Sequence, residues 1–330
     1  MRLKGKSLTE DLQRWQKAYL EHIRLLGYAK NTLSLYRRST DSFVEYMREF
    51  EEDIAIDKIT SVYFTGFLGH IEKEASRRKG GKGKALSGAT KQAYLKAIRG
   101  MFEFIGDNND EFITYTRALK AVKVADRTNS EEKIKYITEA EMAPLLALLE
   151  KKKNLAKTEV AEFLANRNAL LVKILLYAGL RISEALALKM KDVTPPASRD
   201  DVWMLRVQGK GGKRADAFLA SGIIDEEFDF ISNVKNESKE NDFLFFAYGG
   251  KGASPLNRTS IYRVVNRIYK KAGVGKTGLH ILRHTLAIRL TKKNVNPIVI
   301  QKILRHSSLS TTTVYAKAEK EDVRGALKGI

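Results

Sequence analysis

The feature that most restricts the fold of this chain is a polar interruption, 125-ADRTNSEEKIK-135, in which apolar residues show no period. Such a stretch between patterned segments predicts an interdomain linker. The 330 residues suit about two domains of ordinary size, and the 43% of hydrophobic residues is enough for sizeable cores. We therefore predict an N-terminal domain at 1–124, a linker at 125–134 and a C-terminal domain at 135–330.

Most of both domains is predicted to be helical, because apolar residues recur at helical spacing. In the segment 31–47 this spacing predicts a helix that Asn31 caps, and a later helix is expected to begin near Ser87. The stretch 138-TEAEMAPLLALLE-150 opens with a Thr/Glu capping box. Ser183 is expected to cap a helix after the glycine turn at 179, and Ser310 to cap a helix with Tyr315 on its second turn. Further helices are expected at 161–178 and from about 258 to the end.

One part of the C-terminal domain has the pattern of a β-hairpin instead. The runs 202-VWMLRVQ-208 and 215-ADAFLA-220 resemble strands, and 209-GKGGKR-214 has the glycines and charges of a turn between them. The expected fold is therefore mainly α with a small β-hairpin sheet.

The charge of the chain favours a polyanionic partner. Lys and Arg number 59 against 39 Asp and Glu, a net charge of +20. Neutralising phosphates releases condensed counterions, so DNA or RNA is the simplest partner for such a surplus. The basic run 77-RRKGGKGK-84 is interpreted either as a solvated loop or as a clamp on a DNA backbone.

Several classes of protein are excluded or disfavoured. The absence of cysteine excludes disulfides, thiolate metal sites and cysteine nucleophiles, and it fits a reducing cytosol. The start of the chain lacks the apolar core of a signal peptide, and 169-ALLVKILLYAGL-180 is too short to span a bilayer. We predict a cytoplasmic protein with no membrane partner.

Two motifs resemble known sites without matching them. The run 273-GVGKT-277 lacks the first glycine of a phosphate-binding loop, because Lys270 stands there, and it follows a predicted helix. The run 280-HILRH-284 has the histidine spacing of a zinc helix but not its glutamate. The remaining interpretations of 280–284 are a polar helix face or an anion site at a helix N-terminus.

The order of several polar fragments is more informative than any one of them. GLRISE at 179–184, Lys210 in the hairpin turn, HxLRH at 280–284, and His306 nine residues before Tyr315 follow one another along the chain. This order resembles the tyrosine recombinase (phage integrase) family, and within it the Xer group. The segments 27–43 and 87–106 resemble the family's core-binding domain, so the resemblance covers nearly the whole chain. It implies a two-domain, C-shaped clamp around duplex DNA.

The resemblance implies a nucleophile and two proton-transfer groups. Tyr315 matches the tyrosine that attacks a DNA phosphodiester to form a 3′-phosphotyrosine. His280 matches the position that assists the proton transfer, and Lys210 matches the general acid that protonates the leaving 5′-oxygen.

It also implies the groups that hold the attacked phosphate. Arg181 and Arg283 match the two family arginines, whose forked guanidiniums suit the non-bridging oxygens, and His306 matches a third donor. His284 is expected to support its helix, and Glu184 to position a neighbour. No metal, ATP or other cofactor is implied.

The implied partners are a second DNA site and further protomers. A homotetramer, or a pair of recombinases, would hold two DNA sites and exchange strands through a Holliday junction, with activation by a DNA translocase left open. The segment 318–330 is expected to dock on a neighbouring protomer or to cap its own domain. The Xer group implies resolution of chromosome or plasmid dimers; the alternatives are a mobile-element integrase and a DNA-binding regulator without catalysis.

This chain departs from the family pattern at three places. Arg305 stands where the family usually has glycine before its second histidine, which adds a phosphate contact or only changes the surface. The stretch 194-TPPASRDD-201 lengthens the connection to the hairpin, and the glycine often found after Arg289 is missing.

Overall fold

In the computed structural model the chain folds into two compact units, Met1–Glu132 and Lys133–Ile330. Of the predicted linker, only residue 134 lies within the part of the chain that the structure describes. That part comprises residues 1–52, 54–78, 86–124, 134–198, 200–209, 212, 214–234, 242–249 and 254–306.

The first unit is a helical bundle around an aromatic core. The Phe43 ring lies 5.7, 5.2 and 5.5 Å from the rings of Phe64, Phe67 and Phe102, and all four side chains are fully buried. Burial of such large apolar rings is the main stabilising contribution to this unit. Its helices are α1 (Leu8–Leu25), α2 (Lys30–Met47), α3 (Ser61–Arg78), α4 (Gly88–Asn108) and α5 (Thr116–Ala121).

Two local predictions in this unit have different outcomes. Ser87 caps α4, as predicted, by accepting a hydrogen bond from Thr90 N at 3.2 Å. The predicted cap of α2 by Asn31 is wrong, because the extended residue before the helix is Ala29, whose carbonyl already accepts from Leu33 N. Asn31 therefore lies in the first helical turn.

The basic run 77–84 is only partly described. Helix α3 continues to Arg78, so the first two residues of the run are helical and not part of a loop. Residues 79–84 lie outside the described part of the chain.

The second unit combines helices with one small sheet. Three antiparallel strands pair in the order β1–β2–β3, which confirms the predicted mainly helical fold with a β-hairpin sheet. The strands are β1 (Val193–Thr194), β2 (Val202–Gln208) and β3 (Arg214–Ala220). The helices are α6 (Glu139–Asn154), α7 (Glu159–Lys173), α8 (Ile182–Ala187), α9 (Asp225–Val234), α10 (Arg258–Lys271), α11 (His280–Lys292) and α12 (Pro297–Leu304).

The last pair of the hairpin before its connection is Gln208 with Arg214, so β2 and β3 agree with the predicted runs 202–208 and 215–220 to within one residue. Lys210, the residue predicted to stand in this turn, lies outside the described part of the chain. At the start of α6, Glu141 accepts hydrogen bonds from Thr138 N and Oγ1, both at 2.9 Å, which confirms the capping box.

The apolar segment predicted as one helix at 161–178 has two parts. Helix α7 ends at Lys173, and one π-helical turn, Ile174–Ala178, follows it. The segment before 273-GVGKT-277 is helix α10, as expected, so no strand precedes that run. Among the described residues, no helix combines the length and the apolar character needed to cross a membrane.

Candidate active site

A glycine turn after the π-helical segment positions Arg181. Gly179 has a positive φ of 59°, and a Cβ there would lie 2.8 Å from Leu286 Cδ2 and 2.9 Å from Leu304 Cδ2. Only glycine fits a turn that is both left-handed and this closely packed. Because of this turn, Arg181 lies directly before the N-terminus of α8.

Glu184 holds Arg181 by both its backbone and its side chain. Its carboxylate accepts from Arg181 N at 2.8 Å and from Arg181 Nη1 at 2.7 Å. This confirms that Glu184 positions a neighbour. The predicted cap of α8 by Ser183 is wrong, because Arg181 is the residue before the helix and Ser183 lies within its first turn. The Arg181 side chain remains 38% exposed, so its guanidinium can still meet a ligand.

Helix α11 brings Arg283 to the same turn. The Arg283 side chain is 4% exposed, and its Nη1 donates to Gly179 O at 2.5 Å. Its Nη2 donates to Leu304 O at the end of α12. Both acceptors are neutral carbonyls, so they orient the guanidinium without cancelling its charge. Three segments distant in sequence therefore meet around one buried cation.

The two histidines of α11 lie beside these arginines. The ring centroids of His280 and His284 are 6.4 Å apart. Burial lowers the pKa of His280, and the positive charges of Arg258, Arg283 and Arg181 lower it further. His280 is therefore neutral near pH 7 and can accept a proton.

His306 follows α12 and faces the same positive charges. Its backbone N donates to Gln301 O at 3.0 Å, and Gln301 Nε2 donates to His306 O at 3.2 Å. Burial, followed by the charges of Arg283 and Arg181, lowers the pKa of His306 to about 4. A neutral imidazole still carries one N–H, which it can donate to an anion.

One of the two interpretations of Arg305, a change of the surface only, is wrong. Its side chain is only 9% exposed, so the departure from glycine is not a surface change. Its Nη2 lies 3.3 Å from Glu184 Oε2 and 3.1 Å from Gly179 O. The sequence does carry one signal for this burial. Arg305 is a bulky residue directly after the end of α12, where the left-handed conformation is common and glycine is preferred.

The structure thus brings together four of the six residues predicted for the active site. These are Arg181, His280, Arg283 and His306. Lys210 and Tyr315 lie outside the described part of the chain, as do Ser310 and the segment 318–330. The four described residues form a positively charged site with two neutral imidazoles, which suits a phosphate group.

A separate group of carboxylates has the proximity of a metal site but not its electrostatics. Ligand atoms of Glu150, Glu226 and Glu227 lie within 4.8 Å of one another. The ammonium groups of Lys153 and Lys173 approach these carboxylates at 2.5–3.1 Å. The lysines take the place that a cation would need, so the group is an ion-pair network joining α6, α7 and α9.

We expect the melting temperature of the DNA-free protein to fall less steeply on acidification in a His306→Gln variant than in wild type. Between about pH 6.5 and about pH 4 the unfolded chain protonates this histidine, while the folded chain keeps it neutral. The unfolded state then binds more protons, so lowering the pH favours unfolding. Above about pH 6.5 this contribution is absent.

Thermal melting followed by circular dichroism at half-unit pH steps measures this difference. A His22→Gln variant is the control, because His22 packs on Phe104 in the first unit. Parallel pH profiles for wild type and His306→Gln would contradict the assignment of a depressed pKa to His306.

Comparisons with known proteins agree with this geometry. Residues 135–322 match the sequence model of the Phage integrase family. The chain is 30% identical over 244 residues to tyrosine recombinase XerH of Campylobacter jejuni, a match that covers 73% of this chain and 65% of that protein. It is 26% identical over 305 residues to tyrosine recombinase XerD of Oceanobacillus iheyensis, covering 89% and 90% of the two chains.

Solved structures share the fold. The XerH site-specific recombinase bound to a palindromic difH substrate, in a post-cleavage complex, matches with a TM-score of 0.79 and 24% identity, over 99% of this chain and 98% of that one. The Tn1549 transposon integrase in complex with a circular intermediate DNA matches with a TM-score of 0.64 and 18% identity, over 96% and 99%.

Proposed function

This chain belongs to the phage integrase family, and we propose that it is a site-specific tyrosine recombinase of the Xer type. It cleaves and rejoins duplex DNA through a 3′-phosphotyrosine intermediate and a Holliday junction. The observation that carries the proposal is the convergence of Arg181, Arg283 and His306 on the Gly179 turn, with His280 beside them. A protein that only binds DNA has no need of this set in one place.

The arginines stabilise the charge that develops on the attacked phosphate. As the nucleophile approaches phosphorus, negative charge gathers on the non-bridging oxygens. Arg181, which is exposed and held by Glu184, contacts one of these oxygens. Arg283 is held by two backbone carbonyls, so its guanidinium is already oriented before the reaction and stabilises the charge without moving. The N–H of neutral His306 is a third donor.

Proton transfer completes the reaction. The Tyr315 phenol has an ordinary pKa of about 10, so it needs a base at neutral pH, and neutral His280 is that base. The Tyr315 oxygen bonds to phosphorus as the bond to the 5′-oxygen breaks, and Lys210 protonates that oxygen. The phosphotyrosine ester keeps the energy of the broken ester, so a 5′-hydroxyl rejoins the strand without ATP.

The partner is duplex DNA in two copies of a recombination site. The net charge of +20 supports a polyanionic partner, and the XerH and Tn1549 integrase structures contain DNA. Four protomers hold the two sites, and a DNA translocase is a candidate activator. We propose that the role of this chain is resolution of chromosome or plasmid dimers, which serves chromosome partition at cell division; the likeness to tyrosine recombinases XerH and XerD supports this proposal.

Sequencing of the genomic DNA that becomes covalently linked to the protein tests this role. The proposal predicts one short site per chromosome or plasmid, outside any mobile element, and loss of the linkage in Tyr315→Phe. A test plasmid dimer that carries this site should be resolved to monomers. Linkage only at the ends of an integrated element would indicate a mobile-element integrase, and binding without linkage would indicate a regulator.

A further inference from the structure

We propose that Arg305 is a positioning residue that sets how far Arg181 is released toward the scissile phosphate. The inference rests on the proposed recombinase function and concerns the same site. Arg305 occupies the left-handed position directly after α12, with φ 53° and ψ 45°. Glycine adopts this conformation more readily than arginine, so the backbone gives no reason for a long side chain here. The reason must lie in the contacts of the guanidinium.

The Arg305 guanidinium shares its acceptors with both phosphate-binding arginines. Its Nη2 lies 3.3 Å from Glu184 Oε2, while Glu184 Oε1 accepts from Arg181 at 2.7 Å. The same Nη2 lies 3.1 Å from Gly179 O, which also accepts from Arg283 at 2.5 Å. Arg305 is therefore a bridge between the anchors of the two arginines.

The main chain of Arg305 adds a direct contact. Arg181 Nη2 donates to Arg305 O at 3.4 Å, so the two residues meet through backbone as well as through Glu184. The other end of the Arg305 guanidinium donates to Ile303 O at 2.8 Å, which holds the side chain against its own helix end. Both Nη atoms of Arg305 donate to protein acceptors, and only 9% of its side chain is exposed, so the guanidinium acts through its neighbours in the site.

Arg305 affects the position of Arg181 because both guanidiniums compete for the Glu184 carboxylate. Glu184 is buried and is shared by two guanidiniums, so neither cation has the whole of its charge. If Arg305 is removed, Glu184 Oε2 keeps the Arg181 backbone N–H and can accept from the Arg181 guanidinium as well, in the bidentate pairing that guanidinium and carboxylate prefer. Arg181 is then drawn toward Glu184 and away from the phosphate. The charge of Arg305 also adds to the positive potential at His306.

The test compares Arg305→Gly with wild type on a nicked duplex that carries the cognate site and traps the cleaved state. Arg305→Gly suits the left-handed backbone, and Arg305→Lys keeps the charge without the fork. Lys302→Ala, on the exposed side of α12, controls for the loss of one positive charge. Single-turnover cleavage, DNA affinity and thermal melting are measured for each variant.

We expect Arg305→Gly to cleave about tenfold more slowly, with DNA affinity and melting temperature close to wild type, because a displaced group lowers rate more than binding. Arg305→Lys should fall between the two, and Lys302→Ala should match wild type. On a neutral methylphosphonate at the scissile position, which has less need of Arg181, the defect of Arg305→Gly should shrink to about twofold or less.

Several results would overturn the inference. Cleavage by Arg305→Gly at the wild-type rate removes any role for the guanidinium. A loss confined to DNA affinity makes Arg305 a phosphate contact, and a defect that persists unchanged on the methylphosphonate makes it a structural residue. If Arg305→Gly does not fold, cleavage by Arg305→Lys at the wild-type rate would overturn the inference instead. Absence of cleavage by wild type itself would instead refute the proposed function, and this inference with it.

Discussion

Arg181→Ala is expected to lower the rate of single-turnover DNA cleavage by about 10³-fold while leaving DNA affinity nearly unchanged. Arg181 is the exposed arginine of the site, fixed through its backbone N and Nη1 to the Glu184 carboxylate. Its charge matters most when the phosphate gathers negative charge in the transition state, so its loss affects rate more than binding. Many other basic groups of the chain remain available to hold the DNA.

The matched control is Arg206→Ala on β2, which removes an arginine that lies 3.9 Å from Asp216 at the surface of the sheet. Arg181→Lys is informative as well, because lysine keeps the charge but cannot present a fork to two oxygens. We expect Arg181→Lys to recover only part of the lost rate. A reduction of less than about tenfold in Arg181→Ala would mean that Arg181 does not contact the phosphate in the transition state.

Glu184→Ala is expected to lower the free energy of unfolding by about 3 kcal/mol. Glu184 is 4% exposed and accepts from the backbone N of Arg181 as well as from the guanidiniums of Arg181 and Arg305. Arg181 is exposed enough to find water, so most of the cost comes from Arg305, whose charge stays buried without its carboxylate partner. The N–H at the start of α8 also loses its acceptor.

Urea denaturation at pH 7 measures this loss as a shift of the midpoint at constant slope. The control is Glu226→Ala, because the Glu226 side chain is 82% exposed and its ion pair with Lys153 should contribute at most about 1 kcal/mol. Equal midpoints for the two variants would show that the carboxylate does not hold the turn together. DNA cleavage by Glu184→Ala is informative as well. If this variant folds, its cleavage rate shows whether Arg181 acts on the phosphate without the Glu184 carboxylate.

The local elements of this chain were predictable because their signals are local. The strands of the hairpin agree with the alternating runs to within one residue, and the caps at Ser87 and Thr138 follow from side chains that bond a neighbour three residues away. The caps predicted at Asn31 and Ser183 failed for a different reason. Packing decides which residue leaves the helical conformation, and at both positions the chain enters the helix earlier than the nearest capping side chain.

The site is formed by contacts between residues far apart in the sequence, and the spacing of residues along the chain does not reveal such contacts. Arg283 and the Gly179 carbonyl that it binds are separated by 104 positions, and Arg181 and Arg305 by 124. The resemblance to a family could name residues for the site, but it could not say what the unusual Arg305 does. Only the fold shows that its guanidinium contacts the buried Glu184 carboxylate.

We expect the Tyr315 oxygen to form a covalent bond to DNA within the site of Arg181, His280, Arg283 and His306. Mass spectrometry identifies the protein–DNA adduct formed on a nicked duplex with the cognate site, from which the short fragment that carries the new 5′-hydroxyl diffuses away. One adduct is expected, on Tyr315 through a 3′-phosphate, and none in Tyr315→Phe. An adduct on another residue, or the same yield of adduct from Tyr315→Phe, would contradict this expectation.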